Sequence, residues 1–596
     1  MIRTPLRPLA HIIKARADGE NPDMIERENL RRRHDETRDR LRVRAEGRLI
    51  VMVMVFFCAF SLVGARMGLL AASDTLVPRG TGEAQRISAT RADITDRHGR
   101  ILATNMETYS LYAHPRDMIE PIRAAKALMG IFPDLDEASV IEKFTGRSPF
   151  VWVKRRISPE QKQAVHDIGE PGLVFGPREM RLYPNGPVAA HILGGTSYGR
   201  EDVRAAEIVG VAGIERARND VLRDPAMAGR SLALSLDLSV QAATERVLAG
   251  GMALMNAKGA AAIVMRCDTG EILSMASLPD FDPNKRPRIS SDVAQEDSPL
   301  FNRAVQGVYE LGSVFKTLTI AQALDMGIVS PQTTVDIRGP LRWGRHTIND
   351  FLYHGTDLSV EMILVESSNI GTARLAQRIG ISDQQRFLRD LGLFEPLSIE
   401  LAEANQGRPR LPKNWSELST MTISYGHGLS VTPLHLATSY ATVCNGGTKV
   451  APTLIKRDII ETGPRLLSLP AAMQTTAMMR QVVVHEKGTA SMANVGGYAV
   501  AGKTGSADKY DARNGGYHED RVIATFASVF PADRPEYVLV VMLDEPAVHN
   551  GDEIKRTAGW TAVPVAAEII NRIAPMLVAP TPNGPRALAR VSLTSR

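Results

Sequence analysis

Cysteine is nearly absent from this chain. Its 596 residues hold three, Cys58, Cys267 and Cys444. Cys58 sits in an apolar run, and the other two show no metal-ligand spacing, so a disulfide framework and a zinc module are both excluded as organising devices. A single Cys267–Cys444 bridge stays open. No CxxC and no HExxH occurs, so no metal and no other cofactor is expected. Net charge is scarce outside one end. Residues 1–48 hold 13 Lys or Arg against 9 Asp or Glu, which leaves 58 against 57 for the rest of a chain whose formal charge is +5. A near-neutral body has no electrostatic footprint for nucleic acid. No internal repeat is found, which argues against a repeat array.

Long uncharged apolar runs are limited to one. From Leu49 to Ala65 no charge appears, Arg66 interrupts, and Met67 to Ala72 resumes. With Arg66 snorkelling, 49–72 is long enough for one membrane-spanning helix. Eight arginines fill the 18 residues before it, against Arg79 and Arg86 in the stretch that follows. The positive-inside rule places a basic tail, 1–48, in the cytoplasm and everything after about residue 73 on the far side, the periplasmic face of a bacterial inner membrane. A 48-residue leader is too long for a cleaved signal peptide, and the flanking arginines argue against a buried core helix.

The composition, 44% hydrophobic and 23% charged, is that of a folded protein of two to four domains. Arg91 to Asn105 reads as strand, turn at Asp96–Gly99, strand. Residues 229–245 read as a strand entering a helix. Residues 73–245 hold no catalytic cluster, and His98 and His191 read as structural. Ala260 to Ala276 reads as a strand pair about Asp268-Thr269-Gly270. Helical patterns fill the middle, and strands return at Tyr498–Asp508, Arg521–Pro531 and Tyr537–Pro546, before a helix at Ala562–Leu577 with Pro564 in its first turn. The expected class is α+β: an antiparallel sheet covered by helices, over 246–577, with a basic disordered tail at 578–596.

One apolar segment carries chemistry. Ser313 to Met326 predicts a helix stopped by Gly327 and apolar nearly all round, hence buried. Ser313 and Lys316 fall on one face of its first turn. A buried ammonium is costly, so Lys316 should shed its proton and take that of Ser313, making an alkoxide nucleophile. A serine three residues before a lysine also arises by chance. Two further clusters stand in order behind it: Ser367-Ser368-Asn369, 54 residues on, and Lys503-Thr504-Gly505 followed by Ser506 in a strand-like stretch. Taken singly, the second could be a helix N-cap and the third a turn. Together, in this order, they form the signature of active-site serine penicillin-recognising enzymes. Ser313 is then the nucleophile and Lys316 the base. Ser367 relays a proton to the leaving amine, and Asn369 holds the substrate's peptide backbone. Lys503 adds positive charge, and Thr504 and Ser506 hydroxyls bind a terminal carboxylate, with Gly505 between them. The backbone N–H groups of Ser313 and Ser506 suit an oxyanion hole.

With DRHGRILA (Asp96–Ala103), RLYPNG…AAHILG (Arg181–Gly194), VAGIE (Val211–Glu215) and YGHGLSVTPLH (Tyr425–His435) beside these clusters, the chain resembles a class B high-molecular-weight penicillin-binding protein, most closely the division-specific FtsI type. The resemblance implies a β-rich, elongated, non-catalytic pedestal over 73–245. It implies a transpeptidase that acylates Ser313 with a stem peptide ending in D-Ala-D-Ala, β-lactam inhibition, and a SEDS-family glycan polymerase (FtsW type) among other division proteins as partners. Glu310-Leu311-Gly312 stands where such enzymes often carry Glu-Pro-Gly, and Ser506 where threonine is common. There is no room for a glycosyltransferase domain as well. The remaining alternatives are an elongation-specific class B enzyme, a D,D-carboxypeptidase or β-lactamase, and a penicillin-binding sensor.

Overall fold

The computed structural model describes residues 7–21, 48–64, 66 and 91–577, except 202–205, 228, 291, 458, 460–462 and 511–514, together with isolated positions between 23 and 38. The chain divides into two compact units, 1–85 and 86–596. In the first, Arg7–Ala17 is helical, as are residues 48–64. Among the described residues no helix is long and apolar enough to cross a membrane. The expected span 49–72 is helical through 64 and at 66. The rest of that span, and the tail 578–596, lie outside the described residues.

The second unit opens with the hairpin read from Arg91–Asn105. Strand β1 (Asp93–Thr95) turns at Asp96–Gly99 into β2 (Ile101–Ala113), which pairs antiparallel with β3 (Val151–Ile157) and β4 (Leu173–Leu182). Strands β5 (Gly195–Glu201) and β6 (Ala206–Ala212) form a separate antiparallel pair, and β7 (Ser231–Ala233) joins β1 in parallel. Helices Pro121–Ile131 and Glu137–Thr145 bury Leu128, Phe132 and Phe144 against Leu111 in a small core of their own.

Charge holds this region from within. Glu215 Oε2 accepts from Arg91 Nε at 2.5 Å, and Oε1 accepts from Arg181 Nε at 2.6 Å and from the Tyr183 hydroxyl at 3.3 Å. All three charged side chains are buried, and Arg181 and Glu215 come from stretches that carried the family resemblance. The Asp96-to-Arg100 turn is a joint. Asp96 Oδ2 accepts from Arg100 Nε at 2.6 Å and from the Leu238 N–H at 3.1 Å, while Arg100 reaches Asp237, the N-cap of the next helix, at 2.7 Å. His98 meets that same Asp237 at 3.1 Å, and buried His191 meets the Pro279 carbonyl, so both histidines are structural.

The helix that Asp237 caps, α1 (Leu238–Leu254), packs on the second sheet and on α6 (Ala562–Leu577). The domain boundary expected at 245/246 therefore falls inside a helix that belongs with the catalytic core. The sheet has five antiparallel strands: β8 (Gly259–Arg266), β9 (Ile272–Leu278), β10 (Ala501–Tyr510), β11 (Tyr517–Phe530) and β12 (Tyr537–Asp544), in the order β10-β11-β12-β8-β9. Every residue of β12 is buried, because helices cover both faces. Between β9 and β10 come α2 (Phe315–Asp325), α3 (Asn369–Ile379), α4 (Pro433–Cys444) and α5 (Leu469–Val484). Residues 315 to 324 of α2 are all buried, as the all-round apolar pattern requires. Cys267 and Cys444 are buried free thiols, so the open bridge is not formed. Strand β10 ends the sheet and leaves one strand edge unpaired in it.

Candidate active site

Ser313 lies in a 3-10 turn, Gly312–Val314, that feeds into α2 rather than in the α-helix itself. Gly312 has φ +64, and a Cβ there would stand 2.7 Å from the Ser506 carbonyl oxygen. Gly505 is bound by the same constraint from the other side, since its Cβ would meet the Leu311 carbonyl at 2.2 Å. Only glycine at both positions lets β10 press its backbone against the nucleophile's turn. The turn is braced from below. Buried Tyr440 of α4 donates to the Val314 carbonyl at 2.8 Å and lies 2.9 Å from Thr317 Oγ1.

Lys316 is fully buried one turn on. Its Nζ is 2.9 Å from Ser313 Oγ, 2.6 Å from the Ser367 carbonyl, 2.7 Å from Asn369 Oδ1 and 3.0 Å from Ser367 Oγ. Burial drives its pKa well below the ordinary 10.5, and nearby Lys503 adds to that fall while Asp350 opposes it. A neutral amine has two N–H donors and one lone pair. The Ser367 carbonyl and Asn369 Oδ1 can only accept, so they take both donors. The lone pair is left for a hydroxyl hydrogen, and Ser313 Oγ is the nearer hydroxyl.

The second cluster splits between scaffold and site. Ser368 is the N-cap of α3, accepting from the Gly371 N–H at 2.9 Å, so the cap reading is correct for that residue. Ser367 stands in the left-handed region at φ +64, which for serine costs about 1 kcal/mol or more and turns its hydroxyl toward the lysines. Its Oγ lies 3.0 Å from Lys503 Nζ as well, so one hydroxyl bridges two amines. Lys503 is also fully buried, and desolvation lowers its pKa to about 7. Its other partners are Thr504 oxygens at 3.1 and 3.3 Å.

Structure adds what spacing could not. Asn369 was expected to face substrate. Its Oδ1 is held by Lys316, and its Nδ2 donates to the Asn349 carbonyl at 2.9 Å. Ser506 Oγ accepts from the Ala558 N–H at 2.9 Å, leaving its own O–H to donate, and the side chain is exposed. Thr504 pairs with Thr489, hydroxyl to hydroxyl at 2.7 Å. Glu310 ties three segments around the nucleophile, accepting from the Gly428 N–H and the Tyr517 hydroxyl at 3.0 Å each and meeting His427 at 3.1 Å. Tyr440, Asp350, Thr489 and Tyr517 escaped the sequence reading. The YGHG stretch hinted at His427, whose partner the sequence does not reveal. Among the described residues no group of acidic, histidine or cysteine side chains could hold a metal.

Residues 260–571 match the family model of the penicillin binding protein transpeptidase domain, and 86–226 match that of the penicillin-binding protein dimerisation domain. The chain is 36% identical over 540 residues to the probable peptidoglycan D,D-transpeptidase FtsI of Caulobacter vibrioides, across 89% of this chain and 88% of that one. It is 28% identical to the peptidoglycan D,D-transpeptidase FtsI of Escherichia coli, across 78% and 80% respectively. The crystal structure of penicillin binding protein 3 from Mycobacterium tuberculosis, complexed with aztreonam, superposes with a TM-score of 0.62 at 25% identity, covering 82% of this chain and 97% of that one.

Proposed function

The chain belongs to the class B penicillin-binding proteins of the FtsI type, and from that premise we propose that it is a peptidoglycan D,D-transpeptidase of the division septum, acylated on Ser313 by stem peptides ending in D-Ala-D-Ala. One observation carries the chemistry: a desolvated amine whose lone pair has a single nearest hydroxyl, that of Ser313 at 2.9 Å. Lys316 takes the hydroxyl proton as Ser313 Oγ attacks the penultimate carbonyl carbon. Charge develops on the carbonyl oxygen, toward the Ser313 and Ser506 N–H groups. The C–N bond then breaks. The proton passes from Lys316 through Ser367 Oγ to the leaving D-alanine nitrogen, and an ester remains. In the second half an acceptor amine attacks that ester and gives its proton to Lys316, the C–O bond to Ser313 breaks, and Lys316 returns that proton to Ser313 Oγ.

The donor's position follows from the strand edge. An extended peptide can add to β10 by backbone pairing, with its terminal carboxylate at the Thr504 and Ser506 hydroxyls and the charge of Lys503 behind them. A β-lactam presents the same carbonyl and carboxylate pair, so it enters as a competing acyl donor.

The single inner-membrane anchor, with residues 1–48 cytoplasmic and the catalytic domain periplasmic, is part of this proposal. Helical residues 48–64 leave every large apolar side chain exposed, which suits a lipid surround. A SEDS-family glycan polymerase, of the FtsW type, is the proposed membrane partner. Labelled penicillin should attach covalently to the purified protein, and Ser313→Ala should abolish it. Labelling that persists in that variant places the nucleophile elsewhere. A fluorescent fusion should gather at mid-cell, and lateral patches would favour the elongation role.

A further inference from the structure

Asp350 belongs to none of the three clusters, yet it touches the second one twice and the residue that follows it once. Its Oδ1 accepts from the backbone N–H of Asn369 at 2.5 Å and of Ile370 at 3.0 Å, and its Oδ2 accepts from the Ser368 hydroxyl at 2.7 Å. The neighbouring Asn349 carbonyl accepts from Asn369 Nδ2. The Asn369 amide is thereby held nitrogen toward Asn349 and oxygen toward Lys316. A carboxylate at the first turn of α3 also complements the unpaired N–H groups there.

We propose that Asp350 is a positioning residue for the base of this site: it fixes the first turn of α3 so that Asn369 presents its oxygen to Lys316. The inference rests on the acyl-transfer reading and deepens it. Without Asn369 Oδ1 as an obligate acceptor, one N–H of Lys316 turns to Ser313 Oγ, and the lone pair no longer faces the nucleophile. Burial and Lys503 lower the lysine's proton affinity, and Asp350 raises it. Glu366, one residue before Ser367, is engaged elsewhere, with His354 at 2.7 Å and Lys487 at 3.2 Å. Removing the charge of Asp350 while keeping its shape should therefore make Lys316 easier to deprotonate. Removing the shape as well should misdirect it.

The test is the rate of acylation of the full-length protein by a fluorescent penicillin, followed from roughly pH 5 to pH 9. Asp350→Asn keeps an acceptor for the α3 N–H groups and loses the charge. Its acid limb should move to lower pH by about half a unit or more, with a plateau within about tenfold of the parent. Asp350→Ala should lower the plateau by about 100-fold at every pH, the cost of a misplaced catalytic group. An unmoved acid limb in Asp350→Asn overturns the proposal, as does a plateau within about twofold of the parent in Asp350→Ala. If Asp350→Ala does not fold, the limb of Asp350→Asn alone decides. A parent that takes no label, or a Ser313→Ala variant that still takes it, would instead sink the acyl-transfer reading.

Discussion

Two regions of this molecule treat buried positive charge in opposite ways. In the first domain, Arg91 and Arg181 are 1% exposed and share Glu215, which is fully buried. In the catalytic domain, Lys316 and Lys503 are equally buried, but every hydrogen-bond partner of either is a hydroxyl, a carbonyl or an amide oxygen. Burial pulls the pKa of Arg91 down, and the Glu215 carboxylate opposes it. A guanidinium stays charged regardless, so the triad remains ionic and acts as a fastener. Among the described residues the lysines have no ion pair, and an ammonium is able to lose its proton. Burial without a counter-charge in contact thus yields a base at Lys316, where burial with one yields a joint.

The largest effect that could break this contrast is on catalysis. Lys316→Met should slow acylation by penicillin about 10³- to 10⁴-fold, with no fall in the thermal unfolding midpoint, because a thioether chain replaces a desolvated amine. A midpoint that drops sharply would mean the lysine serves the fold rather than the reaction. The mirror experiment is Glu215→Gln. It leaves two guanidinium groups buried without their carboxylate and should lose about 3–5 kcal/mol in urea unfolding. Its folded fraction should acylate within about twofold of the parent.

A third effect is smaller and depends on pH. Lys503 has a pKa of about 7 in the folded protein against an ordinary 10.5, lowered by burial. Between those values the unfolded chain binds more protons. Stability should therefore rise as pH rises through that window, by at most about 1.4 kcal/mol per unit from this residue, and fall toward pH 7. Lys503→Met should flatten that rise in urea titrations at successive pH values. Least affected should be Thr489→Val. It removes the hydroxyl partner of Thr504, and kcat/KM should fall roughly fivefold, near 1 kcal/mol.

The sequence made the catalytic lysine legible because its burial was written in an apolar pattern on all sides of α2, and because hydroxyl and amine shared one helical turn. The KTG strand was legible by its β character. The antiparallel sheet, with its early hairpin and late strands, followed from patterning alone. The residues that escaped share one property: they act across long sequence separation. Asp350 meets Asn369 from a loop, Tyr440 meets Val314 from a helix 126 positions on, and Thr489 meets Thr504 from a turn. No periodicity encodes such meetings. The Arg181 and Glu215 stretches were recognisable as family resemblance and Arg91 as the start of a strand, but their role as one buried ionic cluster needed coordinates. The expected boundary lies within α1, and a helix that continues through a boundary carries no composition break there.

The central claim is that Lys316 is an uncharged amine in the resting protein. Protein carrying ¹³C at lysine Cε, with the Lys316 resonance identified by its loss in Lys316→Met, allows that amine to be titrated directly. The account predicts a midpoint well below 10.5, so that the group is largely neutral where the enzyme works. A midpoint near 10.5 would leave an ammonium facing Ser313 and contradict the account.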